Sequence, residues 1–218
     1  MKRIVEKTAD GSSTLYIPEM DEHYHSIKGA ETESQHVFID MGMKAHKLKE
    51  TLHIFEVGFG TGLNAWLSLK ESINSKQNVL YTGIERYPLS WEMIGELNYT
   101  NDPVFRNLHT APWNKNIEVT PGFTLNKINT DLVSCNFPEA FHPDVIYFDA
   151  FAPEKQPEMW TPEIFDMLYR MMNPEGILTT YCAKGVVRRM LQHSGFMVER
   201  LPGPPNGKRE ILRARKLV

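Results

Sequence analysis

Ile54-Phe55-Glu56-Val57-Gly58-Phe59-Gly60-Thr61-Gly62-Leu63-Asn64 decides the fold: an apolar run passes through one acid into three glycines at alternate positions and then into a helix-forming stretch. Gly58 can turn the chain sharply, Gly60 lets a ligand approach the backbone with no Cβ in the way, and Gly62 admits a helix close to the sheet. The stretch therefore reads as the strand–loop–helix of a nucleotide-cofactor site, the alternative being a plain tight turn. A dinucleotide fingerprint places its third glycine three positions after the second. Leu63 stands there, and the spacing is Glu56-x-Gly58-x-Gly60-x-Gly62 with no P-loop Lys or following Ser/Thr.

Outward from this loop, elements alternate as in a parallel sheet with crossover helices. Strands are expected at 52–57, 79–84, 123–128, 144–149, 176–182, 196–201 and 209–216, with helices at 62–73, 89–98, 162–172 and 184–194. Thr161 can cap the third helix, Pro162 suits its first turn, Glu163 favours the positive end of its dipole, and Asn173-Pro174-Glu175-Gly176 stops it. The last two strands have no helix between them. These seven strands predict an α/β, Rossmann-like, mostly parallel sheet whose last strand is antiparallel. Residues 12–17 and 35–41 read as short strands or extended pieces around a polar stretch. Residues 1–50 are thus expected to form an N-terminal extension or lid, and 51–218 a single domain.

With 218 residues, 41% of them hydrophobic, the chain can bury the core of one α/β domain. Cys135 and Cys182 lie in different segments without CxxC or Cys/His metal spacing, so a reduced cytoplasmic protein without structural zinc or other metal is expected. The charged N-terminus lacks the apolar core of a signal peptide, and no run approaches the roughly 18 apolar residues of a spanning helix, so neither export nor a membrane partner is expected. A net charge of −3 gives no bulk signal for nucleic acid. An RNA partner would need a local basic patch.

Two acids follow later strands. Glu85 ends the run Val79-Leu80-Tyr81-Thr82-Gly83-Ile84, where a carboxylate can take both ribose hydroxyls or simply be solvated. Asp131 follows the third strand and can accept from an adenine amino group, cap a helix, or do both. Val145-Ile146-Tyr147-Phe148 then delivers Asp149 to the carboxyl end of the fourth strand, beside the glycine loop, where open α/β sheets bind ligands. Asp149 is the first catalytic candidate.

The glycine spacing resembles motif I of Rossmann-like S-adenosylmethionine (SAM) methyltransferases, and Asp149-Ala150-Phe151-Ala152-Pro153 resembles the Asp/Asn-Pro-Pro-aromatic motif of amino-methyltransferases. That second resemblance implies that Asp149 and the Ala150 carbonyl accept the two N–H bonds of an amine, aiming its lone pair at the sulfonium methyl. Phe151 would then face the positive charge developing on nitrogen, a cation–π contribution of about 0.5–2 kcal/mol, unless it is ordinary core. Together with Pro157-Glu158-Met159-Trp160-Thr161, Lys184-Gly185-Val186-Val187-Arg188-Arg189 and Pro202-Gly203-Pro204-Pro205-Asn206-Gly207-Lys208-Arg209-Glu210, these motifs resemble the MnmC-type methyltransferase family in its stand-alone form, from about Tyr24 to Ala214. The 202–207 loop runs a residue or so longer than the family pattern.

The resemblance implies a class I SAM-dependent fold, SAM as cofactor, and methylation of 5-aminomethyl-2-thiouridine at the tRNA wobble position. It implies cofactor contacts from Glu56, Gly58, Gly60, Thr61, Gly62, Asn64, Glu85, Asp131 and Asp149. Because the sequence stops at Val218, the FAD oxidase of two-domain relatives is expected to be missing. Arg188, Arg189, Lys208, Arg209, Arg213, Arg215 and Lys216 concentrate toward the carboxyl end. Of these, Arg188, Arg189, Lys208 and Arg209 are the candidates for phosphate contacts with the anticodon region. His25 and His36 resemble lid residues and receive no catalytic role. Two rival readings are a SAM enzyme acting on a small-molecule amine, including an aminopropyl transferase, and a SAM-binding module without catalysis.

Overall fold

The computed structural model describes all 218 residues. Strands β1 (Ile4–Lys7), β2 (Ser13–Ile17) and β3 (Glu22–His23) form a small antiparallel sheet, followed by α1 (Ala30–Ser34). The main sheet contains β4 (Thr51–Val57), β5 (Asn78–Glu85), β6 (Asn116–Thr120), β7 (Phe123–Asn129), β8 (Val145–Phe148), β9 (Ile177–Thr180), β10 (Met197–Pro202) and β11 (Glu210–Arg215). Its helices are α2 (Leu63–Ser75), α3 (Trp91–Glu96), α4 (Pro103–Thr110), α5 (Pro162–Met171) and α6 (Gly185–His193).

The strand order is β10-β11-β9-β8-β4-β5-β7-β6. The five strands from β9 to β7 in that order are mutually parallel, and β11 runs antiparallel to both β9 and β10, as the sequence predicts. The sheet has eight strands rather than the expected seven. The extra one, β6, folds back on β7 through Pro121-Gly122, with Gly122 at φ 82. Helix α4 also went unpredicted, although Asp102 caps it by accepting from the Val104 N–H and Pro103 occupies its first turn.

The expected extended piece at 35–41 is helical: Gln35–Asp40 continues α1 as a π-helix. Val37, Phe38 and Ile39 are consecutive and at most 1% exposed. A strand would turn alternate side chains to opposite faces, whereas a helical path wedges all three into the main core. Each buried side chain contributes about 1.5–3 kcal/mol, which outweighs the roughly 1 kcal/mol range of strand propensity. Burial also decides β8, whose four residues are all buried because helices cover both faces of a parallel sheet.

One face of the sheet joins the apolar sides of α2, α3 and α4 with Val37, Phe38 and Ile39, so the first fifty residues share this core. The other face packs on α5 and α6 through Phe55, Phe148, Phe165 and Leu191. From β4 the chain crosses by α2 to β5 on one side, while β8 lies on the other. Connections thus diverge at the carboxyl ends of β4, β5 and β8, which opens a crevice there.

Candidate active site

Local geometry at the end of β4 follows from its glycines. Gly58 turns at φ 88, and a Cβ there would lie 2.6 Å from the Asp149 carbonyl oxygen, so the loop presses on the chain leaving β8. Gly60, at φ 48, donates its N–H to Glu85 Oε2 at 3.0 Å. Glu85 Oε1 accepts from the Tyr87 N–H at 2.7 Å. Glu85 therefore pins the loop to β5 while its remaining lone pairs face the crevice.

Glu56 lies beneath the loop, 1% exposed. It accepts from the Tyr81 hydroxyl at 2.7 Å and from Asn64 Nδ2 at 2.9 Å. Burial raises its pKa well above the usual carboxylate range, against the pull of the Tyr81 hydrogen bond. The second Asn64 N–H reaches Asp149 Oδ2 at 2.8 Å. Because both partners of Nδ2 are carboxylates, the amide has one orientation, and its buried Oδ1 is left with no partner in the protein. Asn64 thus bridges the acid of β4 to the acid after β8.

Asp149 is pushed up to about 7, first by burial and then by the charge of Glu33. The residues after it are held firmly. The Tyr181 hydroxyl donates to the Ala150 carbonyl at 2.8 Å, Trp160 Nε1 donates to the Phe151 carbonyl at 2.8 Å, and Gln156 Oε1 accepts from the Phe151 N–H at 3.2 Å. Phe151 meets the ring of Tyr24 edge to face, 5.1 Å between centroids.

The N-terminal segment closes the crevice. Tyr24 lies over Gly60, its Cδ1 3.3 Å from where a Cβ would be, and its hydroxyl accepts from Arg3 Nε at 3.1 Å. His25 sits 2.7 Å from Thr61 Oγ1, and burial drops its pKa to about 4, so the ring is neutral at pH 7. Glu33, 7% exposed, accepts from the Ser26 N–H and from Lys208 Nζ. The cavity measures about 510 Å³, within the range of about 300–1,000 Å³ for small-molecule sites.

Gly58, Gly60, Thr61, Asn64, Glu85, Asp131, Asp149, Phe151 and Lys208 all line that cavity. Glu56 and Gly62 do not: the first buttresses the loop from below, and the second starts α2 in the left-handed conformation. Asp131 caps the short turn Leu132–Ser134 through the Val133 N–H and pairs with Arg86 at 2.5 Å. Tyr24, Glu33, Gln156 and Tyr181 also line the cavity, and sequence reasoning assigned none of them. Glu33 and Tyr181 act through contacts distant in sequence, with Lys208 and the Ala150 carbonyl, whereas Gln156 holds the Phe151 N–H from nearby.

The basic carboxyl end divides in two. Arg213 and Arg215 both pair with Glu199, and Lys216 Nζ donates to the carbonyls of Tyr169 and Met172. Lys208 turns toward Glu33, 3.1 Å away. Arg188 and Arg189 of α6 and Arg209 of the β10–β11 loop have no carboxylate partner within 4.0 Å. Helix α6 starts just beyond Tyr181, which lines the cavity, while none of the three arginines does.

Residues 84–217 match the model of a family described as S-adenosyl-L-methionine-dependent methyltransferase. The chain belongs to that family. SAM is its cofactor, and the site fits it: glycines clear the backbone, Glu85 and Asp131 offer acceptors, and the orphaned Asn64 Oδ1 awaits a donor. The methyltransferase is 30% identical over 208 residues to the tRNA 5-methylaminomethyl-2-thiouridine biosynthesis bifunctional protein MnmC of Pseudomonas entomophila, covering 84% of this chain and 31% of that protein. It is 32% identical over 208 residues to the MnmC of Pseudomonas savastanoi pv. phaseolicola, covering 87% and 31%. The chain thus spans about a third of the length of these curated relatives. Among solved structures, MNMC2 from Aquifex aeolicus superposes with a TM-score of 0.80 at 26% identity, covering 98% of this chain and 70% of that one.

Proposed function

We propose that this methyltransferase transfers the methyl group of SAM to the primary amine of 5-aminomethyl-2-thiouridine at the tRNA wobble position, in the cytoplasm. The observation that carries this reading is the Asp149-Ala150-Phe151 segment at the carboxyl end of β8, facing the cavity beside the glycine loop and locked to it by Asn64. The kinship with MnmC proteins supports the RNA substrate. When bound, SAM supplies a methyl group on a positive sulfur, which the amine displaces in line while the bonding pair stays on sulfur.

The protein's own groups orient that amine. Asp149 Oδ1 accepts one N–H, since Oδ2 is engaged by Asn64, and the second lone pair of the Ala150 carbonyl accepts the other. Phe151 and Tyr24 present aromatic surface to the positive charge passed to nitrogen. Sequence reasoning gave Asp149 an orienting role more than a deprotonating one. A carboxyl group titrating at about 7 also takes up the proton that an incoming ammonium must lose. A lysine-like amine titrates near 10.4, and the low-dielectric cavity narrows that gap by disfavouring the cation. Holding amine and methyl in attack geometry supplies the largest share of the rate, about 7–11 kcal/mol.

Glu56 and Gly62 serve the cofactor indirectly by shaping the loop, while Thr61 and Asn64 face it from the cavity wall. Glu85 takes the ribose hydroxyls and Asp131 the adenine edge. Residues 1–50 act as the lid over the domain formed by 51–218. Arg188, Arg189 and Arg209 contact phosphates of the anticodon arm. Mass spectrometry of wobble nucleosides from a strain lacking the gene tests the reading: unmethylated 5-aminomethyl-2-thiouridine should accumulate, and an unchanged nucleoside profile contradicts it.

A further inference from the structure

A chain of contacts leads away from Asp149 along one wall of the cavity. The carbonyl of its neighbour Ala150 accepts from the Tyr181 hydroxyl at 2.8 Å. The Tyr181 ring carries Lys208 Nζ on its face, 3.8 Å from the centroid. Lys208 Nζ in turn donates to Glu33 Oε1 at 3.1 Å, and Glu33 Oε2 accepts the Ser26 N–H at 3.0 Å. The Glu33 side chain is only 9% exposed, and Tyr181, Lys208 and Glu33 all line the cavity. Both charges also act on Asp149, Glu33 raising its pKa and Lys208 lowering it. A surface ion pair contributes little to stability. This one joins two distant parts of the chain on the wall of the same cavity as Asp149, with lone pairs still unused on Glu33.

We propose that Lys208 and Glu33 read the ring of the acceptor base: the Lys208 ammonium donates to a ring carbonyl, and the Glu33 carboxylate accepts the adjacent imide N–H. This is the edge a uracil presents at O4 and N3, and the inference rests on the RNA reading given above. The order of groups supports it. Around the ring, the aminomethyl carbon at C5 is followed by O4 and then by N3–H. In the chain of contacts that leaves Asp149, Lys208 comes before Glu33. A cytosine reverses both polarities, with a donor at N4 and an acceptor at N3, and would set like against like at each position. The pair therefore selects a uracil, whichever atom stands at position 2.

The test uses anticodon stem-loops carrying 5-aminomethyluridine or its N3-methyl derivative. The wild-type enzyme should methylate the N3-methyl substrate with kcat/KM at least about 30-fold lower, the scale of one lost hydrogen bond to a charged group. Glu33→Ala should shrink that gap to below about fivefold by slowing the N3–H substrate more than the N3-methyl one, any change through Asp149 being common to both, while Glu33→Gln, whose amide oxygen still accepts, keeps the larger gap. Affinity for S-adenosylhomocysteine, followed by calorimetry, should stay within about threefold in both variants, which separates base reading from loss of the lid. Equal wild-type rates on the two stem-loops, or an undiminished gap in Glu33→Ala, overturns the inference and leaves the RNA reading standing. Methylation of neither stem-loop, with cofactor binding intact, removes both.

Discussion

Replacing Asp149 by alanine separates alignment from binding. In the native site its Oδ2 accepts from Asn64 at 2.8 Å, and Glu56 holds the other Asn64 N–H at 2.9 Å. The substitution leaves Asn64 anchored by Glu56, so the affinity for SAM should change by no more than about threefold. The acceptor amine loses a hydrogen bond to a charged group, about 1.5–3 kcal/mol, or about 10- to 150-fold in rate. It also loses a proton acceptor, a contribution of about 10²–10⁴-fold. The two effects overlap, so the methylation rate constant at saturating substrate should fall by about 10³-fold. Single-turnover assays with saturating SAM and tRNA measure it. The sign of the pH dependence follows from the raised pKa. Well below pH 7, Asp149 is protonated and cannot take the amine's proton; as pH rises through about 7 it becomes the active carboxylate, and the rate climbs. Asp149→Asn, which keeps an acceptor oxygen but cannot be protonated, should lose that limb and retain only the titration of the amine itself. Equal single-turnover rates in Asp149→Ala and wild type, or a limb near pH 7 surviving in Asp149→Asn, would refute the assignment.

Gly60→Val should abolish SAM binding in calorimetry, because φ 48 strains any side chain and a Cβ would already lie 3.3 Å from Tyr24; retained affinity would show that the loop is not the cofactor cradle. Glu85→Ala should weaken SAM binding by about 1–3 kcal/mol, since it removes acceptors for the ribose and frees the Gly60 N–H. His25 has a folded pKa near 4 against an ordinary 6.5, so the unfolded chain binds more protons between those values and its contribution to stability falls as pH drops through that window. The melting-temperature advantage of wild type over His25→Gln should therefore narrow between pH 7 and pH 5, and a constant difference would mean that His25 is not held neutral. Exchanging Arg188 and Arg189 for Glu should weaken tRNA binding at all sequences and flatten its salt dependence while sparing SAM affinity, as filter binding across a salt series would show. An unchanged slope would place the RNA surface elsewhere.

Much of this architecture could be read from sequence because its signals are local. The alternate glycines, the acids that end β5 and β8, and the Thr161-Pro162 start of α5 each declare their element within a few residues. The Asp102-Pro103 start of α4 carries the same cap-and-proline signal, and the alternation Ile117-Glu118-Val119 marks β6. Both could have been found. Gln35–Asp40 could not, because Val37-Phe38-Ile39 favours a strand by propensity and only the surrounding core makes three consecutive residues buried. The site divides similarly. Asp149 and Phe151 announce themselves by strand position. Tyr24, Glu33 and Tyr181 act through partners far away in sequence, such as Glu33 with Lys208, and only the folded chain brings these together. Composition misled at the carboxyl end, where Arg213, Arg215 and Lys216 look available for phosphates but are spent on Glu199 and on backbone carbonyls.

The central claim is that the amine beside Asp149 belongs to a wobble uridine. Its most direct test incubates the purified protein with methyl-labelled SAM and, in parallel, tRNA bearing 5-aminomethyl-2-thiouridine, the same tRNA without the aminomethyl group, and small amines such as putrescine and spermidine. Label should enter the first tRNA alone and be recovered, after digestion, as 5-methylaminomethyl-2-thiouridine. Label in a free amine, or in tRNA lacking the aminomethyl group, would contradict the account.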